Sequence, residues 1–229
     1  MTFLLLSLFS MRTSSAILLA CCFFAAGAQA QGFKFSEPTA DERAEAAAQA
    51  NRQAVISNHL ATPCLDRIRN RKIMVLFAEE INGQVMSGQG SYSRHVDAVN
   101  RRLQAVGLRT YSPEEIRRQI AQEEIDAYFK NNPDRALSAA RRLSAQYVLR
   151  GVIATSAMAN PMMPVNQVSV NMNFTLTDSA GRAISTASAS NQSYSGSDVA
   201  GMALTLIDER ADEVVARLYS DYCRNAGLR

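Results

Sequence analysis

The sequence predicts an α/β (α+β) sandwich: a mixed sheet with a C-terminal β-hairpin, helices packed mainly on one face, and an N-terminal helical arm. Three observations carry this expectation. Two continuous apolar runs, Lys72 to Ala78 (KIMVLFA) and Tyr147 to Ala154 (YVLRGVIA), have the length and β-branched content of buried central strands. Residues Val168 to Thr177 alternate apolar with polar, turn through Asp178-Ser-Ala-Gly181 and return through Arg182 to Ser190, which describes a hairpin with one polar face. The segments between these runs carry apolar residues at helical spacing.

Taken in order, residues 1–30 are expected to be a secretory signal peptide. Arg12 is the only charged residue before Lys34 and precedes an apolar run, Ala16 to Ala26, that is too short to span a bilayer comfortably. The run ends in Ala28-Gln29-Ala30, so cleavage is expected between Ala30 and Gln31. Met11 is an alternative start that gives a more usual leader. Leu18-Leu19-Ala20-Cys21 resembles a lipobox, and an acyl anchor at Cys21 is the alternative; it would make the Ala28-Gln29-Ala30 site superfluous and leave an apolar mature N-terminus. Either way the expected address lies outside the cytoplasm, in a bacterial periplasm.

Residues 31–62 read as a short lead and an Ala-rich helical arm. Thr39-Ala-Asp-Glu42 is a capping box, and Thr62-Pro63 stops the helix. The remainder, 63–229, reads as a single domain. After the first strand, Glu79 to Ser91 is a polar, Gly-containing loop. Ser93 to Val106 places Val96, Val99, Leu103 and Val106 on one helical face and ends at Gly107. Leu108 to Tyr111 is a short strand. Ser112-Pro113-Glu114-Glu115 opens a helix continued by Ile116, Ile120 and Phe129. Another helix runs from Asn132-Pro133-Asp134 to about Ala145. After the hairpin, Ser197-Asp198 caps a long terminal helix with Val199, Ala203, Ile207, Ala211, Val214, Leu218 and Tyr222 on one face.

The formal net charge of +3 is too near neutral for a nucleic-acid or anionic-membrane surface, and no stretch after the leader has transmembrane length. Beyond the leader only Cys64 and Cys223 remain, and an even pair in an oxidising compartment reads as one disulfide. Closing a loop of about 160 residues contributes roughly 4–5 kcal/mol on chain-entropy reasoning.

Catalytic signatures are not found. His59 and His95 have no metal-ligand spacing, and no nucleophile elbow, Walker loop or H-E-x-x-H occurs, so neither a cofactor nor a metal is expected. Two surface candidates emerge instead. Glu79 and Glu80 leave a central strand where α/β proteins often bind ligands, and with Gly88, Gly90 and Ser91 they outline a candidate ligand cleft. Pro161-Met-Met-Pro164-Val165 joins two strands; Met162, Met163 and Val165 form an adaptable apolar loop suited to a partner contact.

KIMVLFA (72–78), LRTYS (108–112), a helix pair, AQYVLRGVI (145–153), the hairpin around DSAGR (178–182) and the long terminal helix together resemble the TolB N-terminal-like or CsgG-like periplasmic fold. That fold occurs in the curli secretion protein CsgG, in flagellar assembly protein T and in lipoprotein activators of penicillin-binding proteins. The resemblance covers roughly residues 65–222 and carries over no catalytic residue. It implies a non-enzymatic module that assembles with an envelope protein partner or a second copy of itself. The alternatives are a periplasmic small-ligand or envelope-polymer binding protein and, third, a hydrolase without a recognisable motif.

Overall fold

The computed structural model describes residues 38–64, 71–81, 83–87, 93–130 and 133–225. The expected cleavage site at Ala30 and Gln31, the alternative anchor Cys21 and the loop residues Gly88, Gly90 and Ser91 lie outside the described residues.

The fold is α+β with a mixed sheet and a C-terminal hairpin, as the sequence predicts, but its helices pack on both faces of the sheet and not mainly on one. In chain order its elements are α1 (Ala40–Leu60), β1 (Lys72–Ile81), β2 (Gln84–Met86), α2 (Arg94–Ala105), β3 (Arg109–Thr110), α3 (Pro113–Gln119), α4 (Gln122–Phe129), α5 (Pro133–Arg142), β4 (Tyr147–Ala159), β5 (Asn166–Asp178), β6 (Ala183–Ser195) and α6 (Val199–Asn225). The strands form one mixed sheet in the order β2-β1-β4-β5-β6, with β3 beside the start of β1. β1 is parallel to β3 and β4, whereas β4, β5 and β6 form an antiparallel meander.

Two crossovers leave β1 in opposite directions, to β3 on one side and from β3 over to β4 on the other. Right-handed connections in opposite directions must use opposite faces. The long helix α6 and α2 accordingly pack on one face against Ile73, Val75, Phe77, Leu149, Val170, Met172 and Phe174. The short helices α3, α4 and α5 cover Met74, Leu76, Ala78 and Val148 on the other. Beyond β4 this layer touches the meander at the β5–β6 turn, where Leu137 of α5 packs at Gly181; among the described residues no helix covers the middle of β5 and β6 on this face.

Local chemistry explains several boundaries. Gly107, at φ +87°, ends α2 in the left-handed conformation, and the Leu108 N–H bonds the Leu103 carbonyl as the chain turns. The single helix expected from Pro113 to Phe129 is two helices. Ile120 is extended (φ −129°, ψ 124°), and α4 restarts with the Glu124 side chain on the Ala121 N–H. The break turns Ile116, Ile120, Ile125 and Phe129 together into the core, which one straight helix could not do. The expected loop after Ala78 also needs correction: β1 continues to Ile81, and Gln84–Met86 pairs back on it as β2.

The arm α1 buries none of its residues and starts at the Thr39–Glu42 capping box. Its end is fastened to α6. The Tyr219 hydroxyl donates to the Thr62 carbonyl at 3.1 Å, and Cys64 is disulfide-bonded to Cys223 with Cα atoms 5.2 Å apart. On the sheet side of α6, Ser185, Ala187 and Ala189 of β6 are small, which lets the helix approach closely.

Candidate functional site

Both surface candidates lie at one end of the sheet, where β1 and β4 finish and β5 begins. This end combines two hairpins, β1–β2 and β4–β5. The second runs well past its neighbours: Ile81, the last residue of β1, is opposite Thr155, and β4 continues four residues further.

Pairing satisfies the backbone of the longer hairpin out to Ala159 and Asn166. Beyond that pair, Asn160 organises the tip. Its side-chain oxygen accepts from the Met162 N–H at 2.8 Å and the Met163 N–H at 3.2 Å, and its own N–H bonds the Val165 carbonyl at 2.9 Å. Asn160 therefore holds Met162 outward, 90% exposed, with Met163 at 55% and Val165 half-buried beside them. In the strand row below the tip, Met158 and Tyr194 flank Gln167 on one face. The β1–β2 hairpin adds exposed Ile81, Val85 and Met86.

Seven of the nine exposed large hydrophobic side chains among the described residues thus sit at this end; the other two, Val55 and Leu60, belong to α1. Residues 155–168 and 190–196 contain no Asp, Glu, Lys or Arg. An apolar concentration of this kind, charge-free in its β4–β5–β6 part and with Glu79 and Glu80 on the β1–β2 hairpin beside it, is unusual on a free surface and typical of contact sites. Sequence reading found Met162, Met163 and Val165 but missed Met158 and Tyr194, which sit at solvent-facing positions of strands longer than expected. It also missed Val85 and Met86, inside a segment read as loop.

The Glu79 region is differently built. Glu79 and Glu80 are neighbours on a strand, so their side chains leave opposite faces. The Glu79 carboxylate accepts a hydrogen bond from Ser93 Oγ and bonds His95 Nδ1 at 3.2 Å, and its side chain is only 20% exposed. The hydrogen bond to His95, reinforced by the one from Ser93 and opposed by burial, holds its pKa below the ordinary glutamate value. Ser93 Oγ also accepts from the Val96 N–H as the cap of α2. Serine and histidine both point at the carboxylate and not at each other, which is not the geometry of a nucleophile with its base. The cluster ties the end of β1 to the start of α2. Nearby, Ser87 Oγ donates to Asp126, and Gln122 donates to the Ser87 carbonyl and Asp126, tying β2 to α4. No group of three His, Cys, Asp or Glu side chains among the described residues is arranged to hold a metal ion, and no helix among them is long and apolar enough to cross a membrane.

No protein-family model matches the sequence, and no curated protein does. Among solved structures, the chain is similar to the hypothetical protein CT253 from Chlamydia trachomatis (TM-score 0.47, 13% identity, covering 68% of this chain and 99% of that one). It is also similar to a PelC dodecamer from Paraburkholderia phytofirmans (TM-score 0.39, 18% identity, 67% and 94%) and to a minor lipoprotein from Acinetobacter baumannii (TM-score 0.38, 12% identity, 66% and 91%). Similarities at this level carry over no function.

Proposed function

We propose that this chain is a non-enzymatic interaction module of the bacterial cell envelope, exported by its N-terminal signal peptide. It docks on an envelope protein partner through the charge-free apolar tip of the β4–β5 hairpin and the adjoining end of β6. The observation that carries the reading is the Asn160-organised tip, which holds Met162 almost fully in solvent. Pinning a methionine outward has an energetic cost that a monomeric surface does not need, whereas a flexible thioether at the centre of an apolar patch suits a partner's pocket. The TolB-like or CsgG-like family resemblance of the motifs supports the same role.

The partner is a different envelope protein in preference to a second copy. The long free edge, β6, is guarded by α6: Arg210 Nε donates to the Ser190 carbonyl at 3.2 Å and Asn225 Nδ2 to the Ile184 carbonyl at 3.0 Å. Such capping discourages strand-to-strand pairing between copies.

The test is site-specific photo-cross-linking in the native envelope with the probe at position 162, and with a control probe at Arg182 on the opposite end of β6. The expected result is one defined adduct from position 162 that disappears when Met158 and Met163 are both changed to Ser, with no adduct from position 182. Equal, diffuse labelling from the two positions overturns the reading.

A further inference from the structure

Arg150 lies on the bare side of β4, at the border where the α3–α5 layer stops. Its row across the sheet reads Leu76, Arg150, Thr175, Thr186 from β1 to β6. Its guanidinium carbon lies 5.2 Å from the Phe129 ring centre and 5.8 Å from that of Tyr128, so α4 forms a wall behind it. Of the carboxylates on α4 and at the end of β5, Glu124 pairs with Arg142, Asp126 takes Ser87 and Gln122, and Asp178 pairs with Arg182, and neither these nor Glu123 pairs with Arg150. Arg150 makes no hydrogen bond or ion pair to a described residue. Its Nε–H is buried without an acceptor, and the residue as a whole is half-buried. A partly buried guanidinium with no counter-charge is an expensive feature, and its forked Nη pair matches the two oxygens of a carboxylate or phosphate.

The floor beside it is equally specific. Thr175 and Thr186 stand in the arginine's own row, and Asn173 with Ser188 form the next row. All four are uncharged, and none of their side chains has a hydrogen-bond partner among the described residues. The result is a notch: a floor of free hydroxyl and amide groups with Arg150 and an aromatic wall on its inner side and the mutually paired Arg210 and Glu213 on its outer side, beside Asn173 and Ser188.

We propose that this notch binds an acidic saccharide, with the acid group on Arg150 and ring hydroxyls on the floor. The one unpaired cation matches one oxyanion, since Arg210 at the outer edge is paired with Glu213, and the hydroxyl floor matches a polyhydroxylated ligand. A neutral sugar would leave the arginine unpaired. A nucleic acid would need several phosphate contacts and base-stacking surface, which this face lacks. The site is separate from the apolar end, so its failure would leave the docking reading untouched.

The experiment titrates the mature protein with tri-galacturonate and with a disaccharide containing N-acetylmuramic acid, each against its neutral counterpart, and with inorganic phosphate. Affinity is read by calorimetry and site by NMR shifts of Arg150 Nε, Asn173 and Ser188. Binding of an acidic saccharide at least tenfold tighter than its neutral counterpart is expected, with shifts at all three residues. Arg150→Gln should remove at least tenfold of that affinity, and Arg150→Lys should restore only part of it. Should Arg150→Gln fold poorly, Asn173→Ala with Ser188→Ala, both on the exposed floor, should weaken the saccharide and leave phosphate unchanged. Equal affinity for acidic and neutral sugars overturns the proposal. So does phosphate binding as tightly as either saccharide, or an absence of shifts at Arg150 with both acidic probes.

Discussion

Phe77 on β1 and Phe174 on β5 meet edge to face, with ring centres 5.8 Å apart and planes at 81°, although β4 runs between their strands. They can do so because the β4 residue in their row is Gly151. A Cβ there would lie 2.5 Å from Phe174 Cε1 and 2.7 Å from Phe77 Cδ1. The glycine in YVLRGVIA is thus a space kept for two rings at the centre of the main core, where such a pair contributes about 0.5–1.5 kcal/mol beyond its area.

Gly151→Ala should therefore destabilise the fold by about 1–3 kcal/mol through overpacking, although alanine is the better residue for an extended backbone. Chemical denaturation of the variant checks this. A midpoint equal to or above that of the wild type would show that the rings move aside freely.

Removing the disulfide with Cys64→Ala and Cys223→Ala should cost about 2–5 kcal/mol. The effect should also be local. Because α1 lies along α6 with no fully buried residue, once the covalent link is gone it is held only by half-buried side chains such as Ile56 and by the contacts around Thr62, Ser220 and Tyr219. Limited proteolysis should then cut within residues 40–62 before the sheet is attacked. Simultaneous loss of arm and domain would instead show that the arm is an integral part of the folding unit.

Much of this architecture was legible in the sequence because its signals are local. KIMVLFA, the 168–177 alternation, the Ser112-Pro113 start and Gly107 each state their conformation within a few residues. The break at Ile120 was not legible, since Ala121 is a poor cap and the preference for two helices comes from where Ile116 and Phe129 must both go. The short strand β2 was hidden because three exposed residues, Gln84 to Met86, carry no alternation to read. At the candidate site, Met162 and Met163 were visible as an apolar pair between prolines. Arg150 was invisible as a site residue, because its isolation depends on which carboxylates from other elements already have partners.

Arg102 joins α2 to α6. Its guanidinium donates to Asp208 Oδ1 and Asp212 Oδ1, each at 2.9 Å, and to the Asp208 carbonyl at 3.2 Å, with the side chain 24% exposed. This use of the planar fork cannot be reproduced by an ammonium. Arg102→Lys should lose most of what Arg102→Ala loses, about 1–2 kcal/mol for partly screened charge-assisted bonds. Thermal unfolding of the two variants side by side checks this, and full recovery by lysine would reduce the contact to simple charge attraction.

The Glu79 cluster makes a prediction about pH. The hydrogen bond to His95, with that from Ser93, favours the charged carboxylate and outweighs burial, so the folded-state pKa lies below the ordinary value of 4.5. A carboxylate with a depressed folded pKa stabilises the fold fully above its unfolded pKa and loses that contribution as pH falls through the folded value. Glu79→Gln keeps an oxygen for Ser93 and His95 but removes the charge. The variant should therefore be less stable than the wild type at pH 7, and the difference should shrink as the pH drops below about 4.5. Asp126 and Glu115 shift in the same direction, so both proteins will lose stability in acid, and the informative quantity is the difference between them. Denaturation midpoints measured in parallel between pH 3 and 7 give that difference. A gap that stays constant across the range would mean that Glu79 holds β1 to α2 by hydrogen bonding alone, with no contribution from its charge.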